Sequence, residues 1–367
     1  MTRAKLAIDL RYADGPLSGF GRFTWMLLEG LRKIGPPAPI LLIRKPNQEL
    51  PAGMKAAKGF EWLDIDRSPY MPIAQIRLAR ELAKEGVEVL FSPDCFSPLC
   101  GGLKQIITLH DIIPLRCPHL LPRSAKGRFF RLWRQWLRLQ IGNADRVITV
   151  SDHARTDIAD VFANAGPKLK TVYNAVQPGD ALVAERPSLP PLRLLYVGRD
   201  APYKNIIGCI KTTATLKDAG LDVSLTIAGE PDPRYPEVGD AIRHLCLEDR
   251  ISVTGHVDEQ QLLQLYREAS VFLFLSRYEG FGLPPLEAMA HGLPVVSSDR
   301  ASLPEVLGDA AILVDPDNVA AAANAVRQIA ESPTLARDLV ERGVKRAADF
   351  TVERQATMFW EVVEPIL

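Results

Sequence analysis

Two glutamates eight residues apart, Glu279 and Glu287, flank a glycine-rich turn in the stretch SRYEGFGLPPLEAMAH. An apolar run at 271–275 precedes the turn and has the character of a buried strand. Pro284 and Pro285 predict that a helix begins directly afterwards, because the missing proline N–H would have no partner in a first helical turn anyway. We therefore expect Glu287 to be the third or fourth residue of that helix.

The backbone of this turn is expected to bind oxygen-rich ligands. The amides of Phe281, Gly282 and Leu283 would point out of the helix N-terminus, which carries about half a positive charge. A carboxylate only accepts hydrogen bonds, so each flanking glutamate suits paired hydroxyl donors such as a ribose diol or the ring hydroxyls of a sugar. The pattern indicates a sugar-nucleotide site. An ordinary strand-to-helix connection, with Glu287 complementing the helix dipole, is the alternative.

A second candidate group lies in YVGRDAPYKN, where Arg199 and Lys204 follow another apolar run. Arginine offers a planar fork that matches phosphate oxygens, and lysine adds a compact point charge. Fixed positive charge aimed at the charge that develops on a departing diphosphate is usually the largest catalytic contribution. The alternative is a solvent-exposed basic pair after a strand.

The first half of the chain contributes a glycine pair and a histidine. Gly19 and Gly21 lie between the first strand and a helix expected to start near Phe23, where glycine would let the backbone approach a diphosphate or an acceptor. Thr24 stands where a dinucleotide fingerprint has its third glycine, which argues against an NAD enzyme. His110 ends the run IITL and would position or polarise a sugar hydroxyl, with a purely structural role as the alternative.

Length and composition limit the class of protein. A chain of 367 residues favours two domains over one core, and 47% hydrophobic with 24% charged residues is typical of soluble globular proteins. The five cysteines form no C-x-x-C pair and predict neither disulfides nor zinc, which fits the cytoplasm. We expect no signal peptide, and no apolar run approaches the ~20 residues of a membrane span.

The formal net charge of zero conceals an asymmetry. Residues 1–178 hold 26 Lys+Arg against 16 Asp+Glu, whereas residues 179–367 hold 18 against 28. The stretch 123–140 contains six basic residues, no acidic residue and four large aromatics, which is typical of an amphipathic helix on an anionic membrane. The alternative is a helix whose aromatics pack into the first domain. We predict no nucleic-acid partner.

Short β-rich runs alternate with helical stretches, six runs in each half of the chain. Continuous apolar strands separated by helices predict parallel sheets buried on both faces, hence an α/β fold of two Rossmann-like domains. The Pro- and Gly-rich segment 176–192 predicts the boundary between a first domain at 1–178 and a second domain at 190–350; the resemblance described next implies that the first binds the acceptor and the second the donor. Ligands of such sheets bind beyond the carboxyl ends of the strands, which predicts one interdomain cleft lined by residues from both halves.

The segment EGFGLPPLEAMAHGLPVVSSD, with its Glu-x7-Glu spacing, resembles the signature of retaining glycosyltransferases of the family-4 type, whose two-domain fold is called GT-B. YVGRDAPYKN resembles the Arg-x4-Lys element of that family. Further similar stretches are SLPEVLGDAAILVDP, TGHVDEQQL, VITVSDHAR, LHDIIPL and SGFGRFTWMLLEGL. The resemblance therefore covers most of the chain.

This resemblance implies roles for individual residues. Glu287 would hold the ribose hydroxyls, while Glu279 and the amides of residues 281–283 would hold the transferred sugar. Val257 would offer backbone groups to the base. The resemblance also implies that a C-terminal helix, about 352–367, packs back on the first domain.

Together these patterns predict a retaining glycosyltransferase that moves a hexose from a nucleotide sugar to a growing, lipid-linked glycan in polysaccharide or lipopolysaccharide biosynthesis. The predicted catalytic residues are His110, Glu279, Arg199 and Lys204, with no metal or other cofactor required. The LPPLE and HDIIPL segments resemble bacterial polysaccharide mannosyltransferases and favour GDP-mannose as the donor. We expect a cytoplasmic protein, peripheral on the inner face of the cell membrane. The alternatives are a GT-B sugar-nucleotide epimerase and a non-catalytic glycan-binding partner of another transferase.

Overall fold

The computed structural model describes residues 5–13, 19–48, 50, 53–54, 57–99, 101–121, 123–124, 128–179 and 191–367. The chain divides into two compact units. The first unit comprises residues 1–112, 130–175 and 350–367, and the second comprises residues 113–129 and 176–349. The segment 113–129 thus leaves the first half of the chain and belongs to the second unit.

The first unit is built on a sheet of seven parallel strands in the order β3-β2-β1-β4-β5-β6-β7. Six of the strands lie where the sequence predicts them. Strand β3 was missed because its residues Glu61 and Asp64 are exposed, so this edge strand lacks a continuous apolar run. The strands are β1 (Leu6–Asp9), β2 (Ile40–Arg44), β3 (Phe60–Asp64), β4 (Val89–Ser92), β5 (Lys104–Thr108), β6 (Arg146–Thr149) and β7 (Leu169–Thr171).

Helices of the first unit include α1 (Gly19–Ile34), α2 (Pro72–Lys84), α4 (Phe130–Asn143), α5 (Asp152–Val161) and the C-terminal α13 (Val352–Val363). Helix α13 packs against α1. A Cβ atom at Gly30 would come within 2.0 Å of the Val352 carbonyl oxygen, so this contact requires glycine. Phe359 packs on Phe91 with ring centroids 4.7 Å apart, which fixes the last helix to the sheet.

The second unit has a sheet of six parallel strands in the order β10-β9-β8-β11-β12-β13. Each overlaps one of the six runs predicted for this half of the chain, and β8 begins one residue before its run, RLLYVG. They are β8 (Leu192–Val197), β9 (Val223–Ala228), β10 (Ile251–Gly255), β11 (Val271–Phe274), β12 (Val295–Ser298) and β13 (Ile312–Val314). The central strands β11 and β12 are buried throughout, as expected of a parallel sheet covered on both faces.

The second unit contains eight of the described helices, and those after β8 follow its strands along the chain. They are α3 (Ile113–Arg116), α6 (Ile206–Asp218), α7 (Glu237–His244), α8 (Glu259–Glu268), α9 (Leu283–Ala290), α10 (Leu303–Leu307), α11 (Val319–Glu331) and α12 (Pro333–Ala347). Both units are therefore Rossmann-like α/β structures, and the predicted fold class is confirmed. Among the described residues, none of the helices pairs a bilayer-crossing length with a sufficiently apolar composition.

Candidate active site

The turn between β11 and α9 brings backbone amides to a helix N-terminus. Gly282 precedes the helix with φ 99°, in the left-handed region, and a Cβ atom there would lie 2.6 Å from the Leu303 side chain. Glycine is therefore required on both conformational and steric grounds. Pro284 and Pro285 lie in the first turn as predicted. Glu287 is the fifth helical residue and not the third or fourth, because Leu283 already belongs to α9.

Lys204 and Glu279 form an ion pair at this turn. The Lys204 Nζ lies 2.7 and 3.0 Å from the two carboxylate oxygens of Glu279, and the two side chains are only 14% and 10% exposed. Lys204 ends a short 3₁₀ turn after β8, and its ammonium also lies 5.5 Å from the ring centroid of Phe274. The structure thus joins the residue expected at the diphosphate to the residue expected at the sugar.

Two buried serines hold the turn, and sequence reasoning missed both. The Ser302 hydroxyl lies 2.9 Å from the carbonyl oxygens of both Glu279 and Phe281. The Ser276 hydroxyl lies 3.0 Å from the Tyr278 carbonyl and 3.2 Å from that of Tyr203. In a trans peptide the N–H points opposite to the carbonyl oxygen, so the amides that follow Glu279 and Phe281 point away from Ser302.

Ser276 also connects the two candidate loops. The Tyr203 carbonyl accepts hydrogen bonds from the Ser276 hydroxyl and, at 2.7 Å, from the amide of Arg277. This carbonyl immediately precedes Lys204. Hydrogen bonds among Tyr203, Ser276 and Arg277 therefore fix the position of the basic loop after β8 relative to the acidic turn after β11. No sequence pattern marks Ser276, because its burial is visible only in the structure.

Arg199 occupies a different environment from Lys204. It is exposed and lies just after the end of β8. The hydrogen bond from Arg234 is the main reason that the pKa of Asp232 is lowered to about 2, and the positive charge of Arg199 contributes to the same shift. The backbones of Gly198 and Gly229 cross closely here, since a Cβ atom at Gly229 would lie 2.0 Å from the Gly198 carbonyl oxygen. Arg199 thus projects from a tightly packed strand end.

The remaining donor-site candidates lie along the same edge of the second sheet. The Tyr266 hydroxyl donates to Glu287 Oε2 at 3.4 Å, and the Tyr266 ring stacks on His291. Glu287 is half-buried on the helix that begins at the turn. Val257 is half-buried in the irregular segment after β10. The structure brings Lys204 and Glu279 into contact, whereas the other candidates line the edge separately.

His110 lies in the first unit, two residues beyond β5. Its Nε2 is 3.1 Å from the Pro93 carbonyl oxygen, and its ring meets the edge of Phe23. Desolvation lowers the pKa of His110 to about 4, so the ring is neutral at pH 7. A carbonyl oxygen only accepts, so Nε2 carries the proton and Nδ1 is the basic nitrogen.

The prediction for the glycine pair was wrong in its local structure. Gly19 and Gly21 do not precede the first helix; both lie inside α1, which begins at Gly19 and not near Phe23. The preceding residues 14–18 lie outside the described part of the chain. The helix therefore starts four residues earlier than predicted, and contact of Gly19 and Gly21 with a diphosphate or an acceptor stays a prediction.

No group of three or more potential metal ligands occurs among the described residues. The sequence contains two Asp-x-Asp pairs, Asp64 with Asp66 and Asp315 with Asp317, and Pro316 predicts a turn for the second. In each pair an acid binds an arginine. Asp64 binds Arg44 at 2.6 Å, and Asp317 binds Arg277 at 2.6 Å. Asp315 accepts from the Asp317 amide, which forms the predicted turn around Pro316.

Comparison with known families divides the chain into two matches. The model described as Glycosyltransferase Family 4 matches residues 17–179, and the model described as Glycosyl transferases group 1 matches residues 184–346. O-antigen chain mannosyltransferase B of Escherichia coli is 30% identical over 264 residues, which span 69% of this chain and 68% of that protein. The matches to both halves agree with the two sheets described above.

Two further relatives extend the comparison. The GDP-mannose:cellobiosyl-diphosphopolyprenol alpha-mannosyltransferase of Xanthomonas campestris is 28% identical over 80% of this chain and 72% of its own length. The solved sucrose-phosphate synthase of Thermosynechococcus elongatus superposes with a TM-score of 0.77 over 99% of both chains at 20% identity. At that identity the structural likeness concerns the fold.

Proposed function

The chain belongs to family 4 of the glycosyltransferases, with the GT-B fold, and from this premise we propose that it is a retaining mannosyltransferase that uses GDP-mannose and extends a lipid-linked glycan. The observation that carries the proposal is the buried Lys204–Glu279 pair beside the N-terminus of α9. This arrangement brings a cation from the loop after β8 together with a hydroxyl acceptor and the helix amides of the turn after β11.

The chemistry follows from the charges. During transfer, the bond between the anomeric carbon and the diphosphate oxygen breaks, and negative charge grows on the diphosphate. Lys204 and the α9 N-terminus stabilise that charge, with Arg199 adding a second cation from the exposed strand end. Glu279 accepts hydrogen bonds from the sugar hydroxyls, and Glu287 accepts those of the ribose.

Retention is proposed through attack on the same face of the sugar. The acceptor hydroxyl forms the new bond to the anomeric carbon as the diphosphate leaves, and the hydroxyl proton passes to a diphosphate oxygen. Neutral His110, whose basic nitrogen is Nδ1, accepts a hydrogen bond from a sugar hydroxyl. These steps use the charges already present in the chain, so we propose that no metal ion is needed.

The donor and acceptor are proposed from the relatives. The Escherichia coli relative is an O-antigen chain mannosyltransferase, and the Xanthomonas relative is named for GDP-mannose and a polyprenol-linked sugar. Both names support mannose as the transferred sugar. The polyprenol-linked acceptor of the second supports a lipid-linked glycan here.

We further propose that α4 contacts an anionic membrane from the cytoplasmic side. Trp133 and Trp136 pack against Phe96, so part of the aromatic set belongs to the first unit. Leu132 and Leu139 are 70% and 59% exposed on the same helix. Four arginines lie on or just before this helix, and within the part of the chain that the structure describes none of them forms an ion pair with a carboxylate: Arg128, Arg131, Arg134 and Arg138. Exposed leucines beside unpaired arginines suit an interface with anionic lipid.

The direct test combines nucleotide binding with product analysis. Calorimetry against GDP, UDP, ADP and their common hexose conjugates should select GDP and GDP-mannose. With GDP-mannose and a polyprenyl-diphosphate-linked oligosaccharide, mass spectrometry should detect addition of one hexose, and the anomeric signal of the product should be α. Conversion of the nucleotide sugar into an epimer in the absence of an acceptor would instead identify an epimerase. A folded protein that binds glycan but neither binds nor consumes any donor would identify a non-catalytic glycan-binding partner.

A further inference from the structure

The second unit contains a cavity that none of the donor-site candidates lines. Its volume is about 390 Å³, and its walls come from His119, Leu120 and Arg123, the N-termini of α6 and α7, and residues 316–319. Leu120, Ile206 and Val238 supply apolar surface. A cavity of this size accommodates one or two sugar rings and lies at the low end of small-molecule sites.

Buried polar groups line this cavity. Tyr235 is only 5% exposed, and its hydroxyl has no hydrogen-bond partner among the described residues. Buried hydroxyls normally have partners, so an unpaired one at a cavity wall points to a ligand. The ring of Tyr235 is held in place by the guanidinium groups of Arg123 and Arg234, at 5.4 and 5.7 Å from its centroid.

Asp200 is a second buried polar group at the cavity and is 8% exposed. Desolvation, more than the nearby acids Asp232 and Glu237, raises the pKa of Asp200 to about 6. A carboxylate in this state gains from new hydroxyl donors. The side-chain amide of Asn205, which precedes α6, donates a hydrogen bond to the Pro316 carbonyl, and its side chain does not cap the helix. Backbone N–H groups in the first turn of α6 are therefore further hydrogen-bond donors at the same wall.

The charges around the cavity are balanced and mostly paired. Arg123 binds Glu237 at 2.9 Å, and Arg277 binds Asp317 at 2.6 Å. Lys211, which is exposed at the rim, offsets Asp200. An ionic ligand would have to displace existing pairs, whereas a neutral polyhydroxyl ligand would add hydrogen bonds to groups that need them.

We propose that this cavity is an acceptor subsite that binds one or two neutral sugar residues of the growing glycan. The proposal rests on the proposed glycosyltransferase function. Asp200 and Pro202 belong to the loop that also carries Arg199 and Lys204, so the loop has the donor site on one side and the saccharide on the other. The donor unit therefore supplies part of the acceptor site, with one wall contributed by His119, Leu120 and Arg123.

The experiment measures saccharide binding by saturation-transfer NMR and calorimetry, with methyl α-mannoside, α-mannobiose and mannose 6-phosphate as probes. Tyr235→Phe removes the unpaired hydroxyl and keeps the ring, and should weaken α-mannobiose about fivefold or more. Val238→Trp fills the cavity and should abolish binding. The matched control is Tyr196→Phe, which removes another buried unpaired hydroxyl that does not line the cavity.

The outcomes separate the subsite from the proposed function. All three variants should retain wild-type affinity for GDP. Wild-type affinity for mannobiose in both Tyr235→Phe and Val238→Trp, or no saccharide binding by the wild type, would overturn the subsite. Preference for mannose 6-phosphate over the neutral sugars would overturn the assignment of a neutral ligand. If saccharides bind as expected but no nucleotide or nucleotide sugar does, the transferase proposal fails while the cavity assignment stands.

Discussion

The Lys204–Glu279 pair can be tested with a double-mutant cycle of Lys204→Met, Glu279→Gln and both together. Each single variant leaves one charged or polar group buried without its partner, because the two side chains are only 14% and 10% exposed. Removing one member of a fully buried pair costs about 3–5 kcal/mol. The residual exposure reduces our expectation to about 2–3 kcal/mol per single variant, with a coupling of about 1–3 kcal/mol within the pair.

Two measurements follow from these values. Chemical denaturation gives the free energy of unfolding of the second unit, and thermal melting should fall by about 4–10 °C in each single variant. Calorimetry with GDP then separates the roles of the two residues. Lys204→Met should weaken GDP about tenfold or more, since a charge-assisted phosphate contact is lost. Glu279→Gln should leave GDP affinity equal or higher, because the competing carboxylate is gone, yet should sharply reduce sugar transfer.

Glu287→Ala serves as the comparison, because it should weaken GDP through the ribose while leaving the ion pair intact. Additive destabilisation in the double variant would contradict the energetic importance of the pair. Equal loss of GDP affinity in Glu279→Gln and Lys204→Met would contradict the division of labour between sugar and diphosphate. Both results would require a different explanation of why these residues lie in contact.

Four further predictions concern metal, pH and membrane. Activity should survive EDTA; loss with chelator and rescue by magnesium or manganese would show that Lys204 and Arg199 do not suffice. His110→Gln should lower turnover more than stability. Because the folded pKa of His110 is lowered to about 4 from 6.5, the wild type should lose stability as the pH falls from 6.5 to 4. An equally steep loss of stability in the variant would argue against this role of the His110 pKa. Asp200→Asn should stabilise the protein by about 1–3 kcal/mol above pH 6 and by little at pH 4, since the raised pKa makes the ionised form the costly one. Denaturation at pH 8 and pH 4 measures the difference, and a pH-independent effect would refute it. Co-sedimentation with anionic liposomes should decrease with salt and in the Arg128→Ser, Arg131→Ser, Arg134→Ser variant, whereas indifference of the wild type at low salt would leave α4 as a packed helix only.

The sequence predicted the fold well where burial determines the residue pattern. Strands β11 and β12 are covered on both faces, so their residues form continuous apolar runs that can be recognised without a structure. Strand β3 lies at a sheet edge with Glu61 and Asp64 exposed, so the same rule missed it. The two glycines Gly19 and Gly21 predict a loop, so the expected start of α1 lies four residues late, whereas α1 tolerates both glycines.

The candidate site was predictable by residue type but not by pairing. Charge and spacing singled out Lys204 and Glu279, yet separate partners were expected for each, and only the geometry shows their contact. Ser276 and Ser302 were missed because serine has no distinctive pattern in sequence. Their importance comes from hydroxyl hydrogen bonds that they donate to carbonyl oxygens up to 73 residues away along the chain.

The segment 113–129 limits how far the two halves can be treated as interchangeable modules. It belongs to the second unit while the chain before and after it belongs to the first. A chimaera that joins a foreign N-terminal half to this chain at residue 176 would lack Arg123. Glu237 would then lose its ion-pair partner, and Tyr235 would lose one of the two guanidinium groups that cover its ring. Exchange of donor halves between relatives, in the laboratory or in evolution, should succeed only when this short segment is exchanged with them.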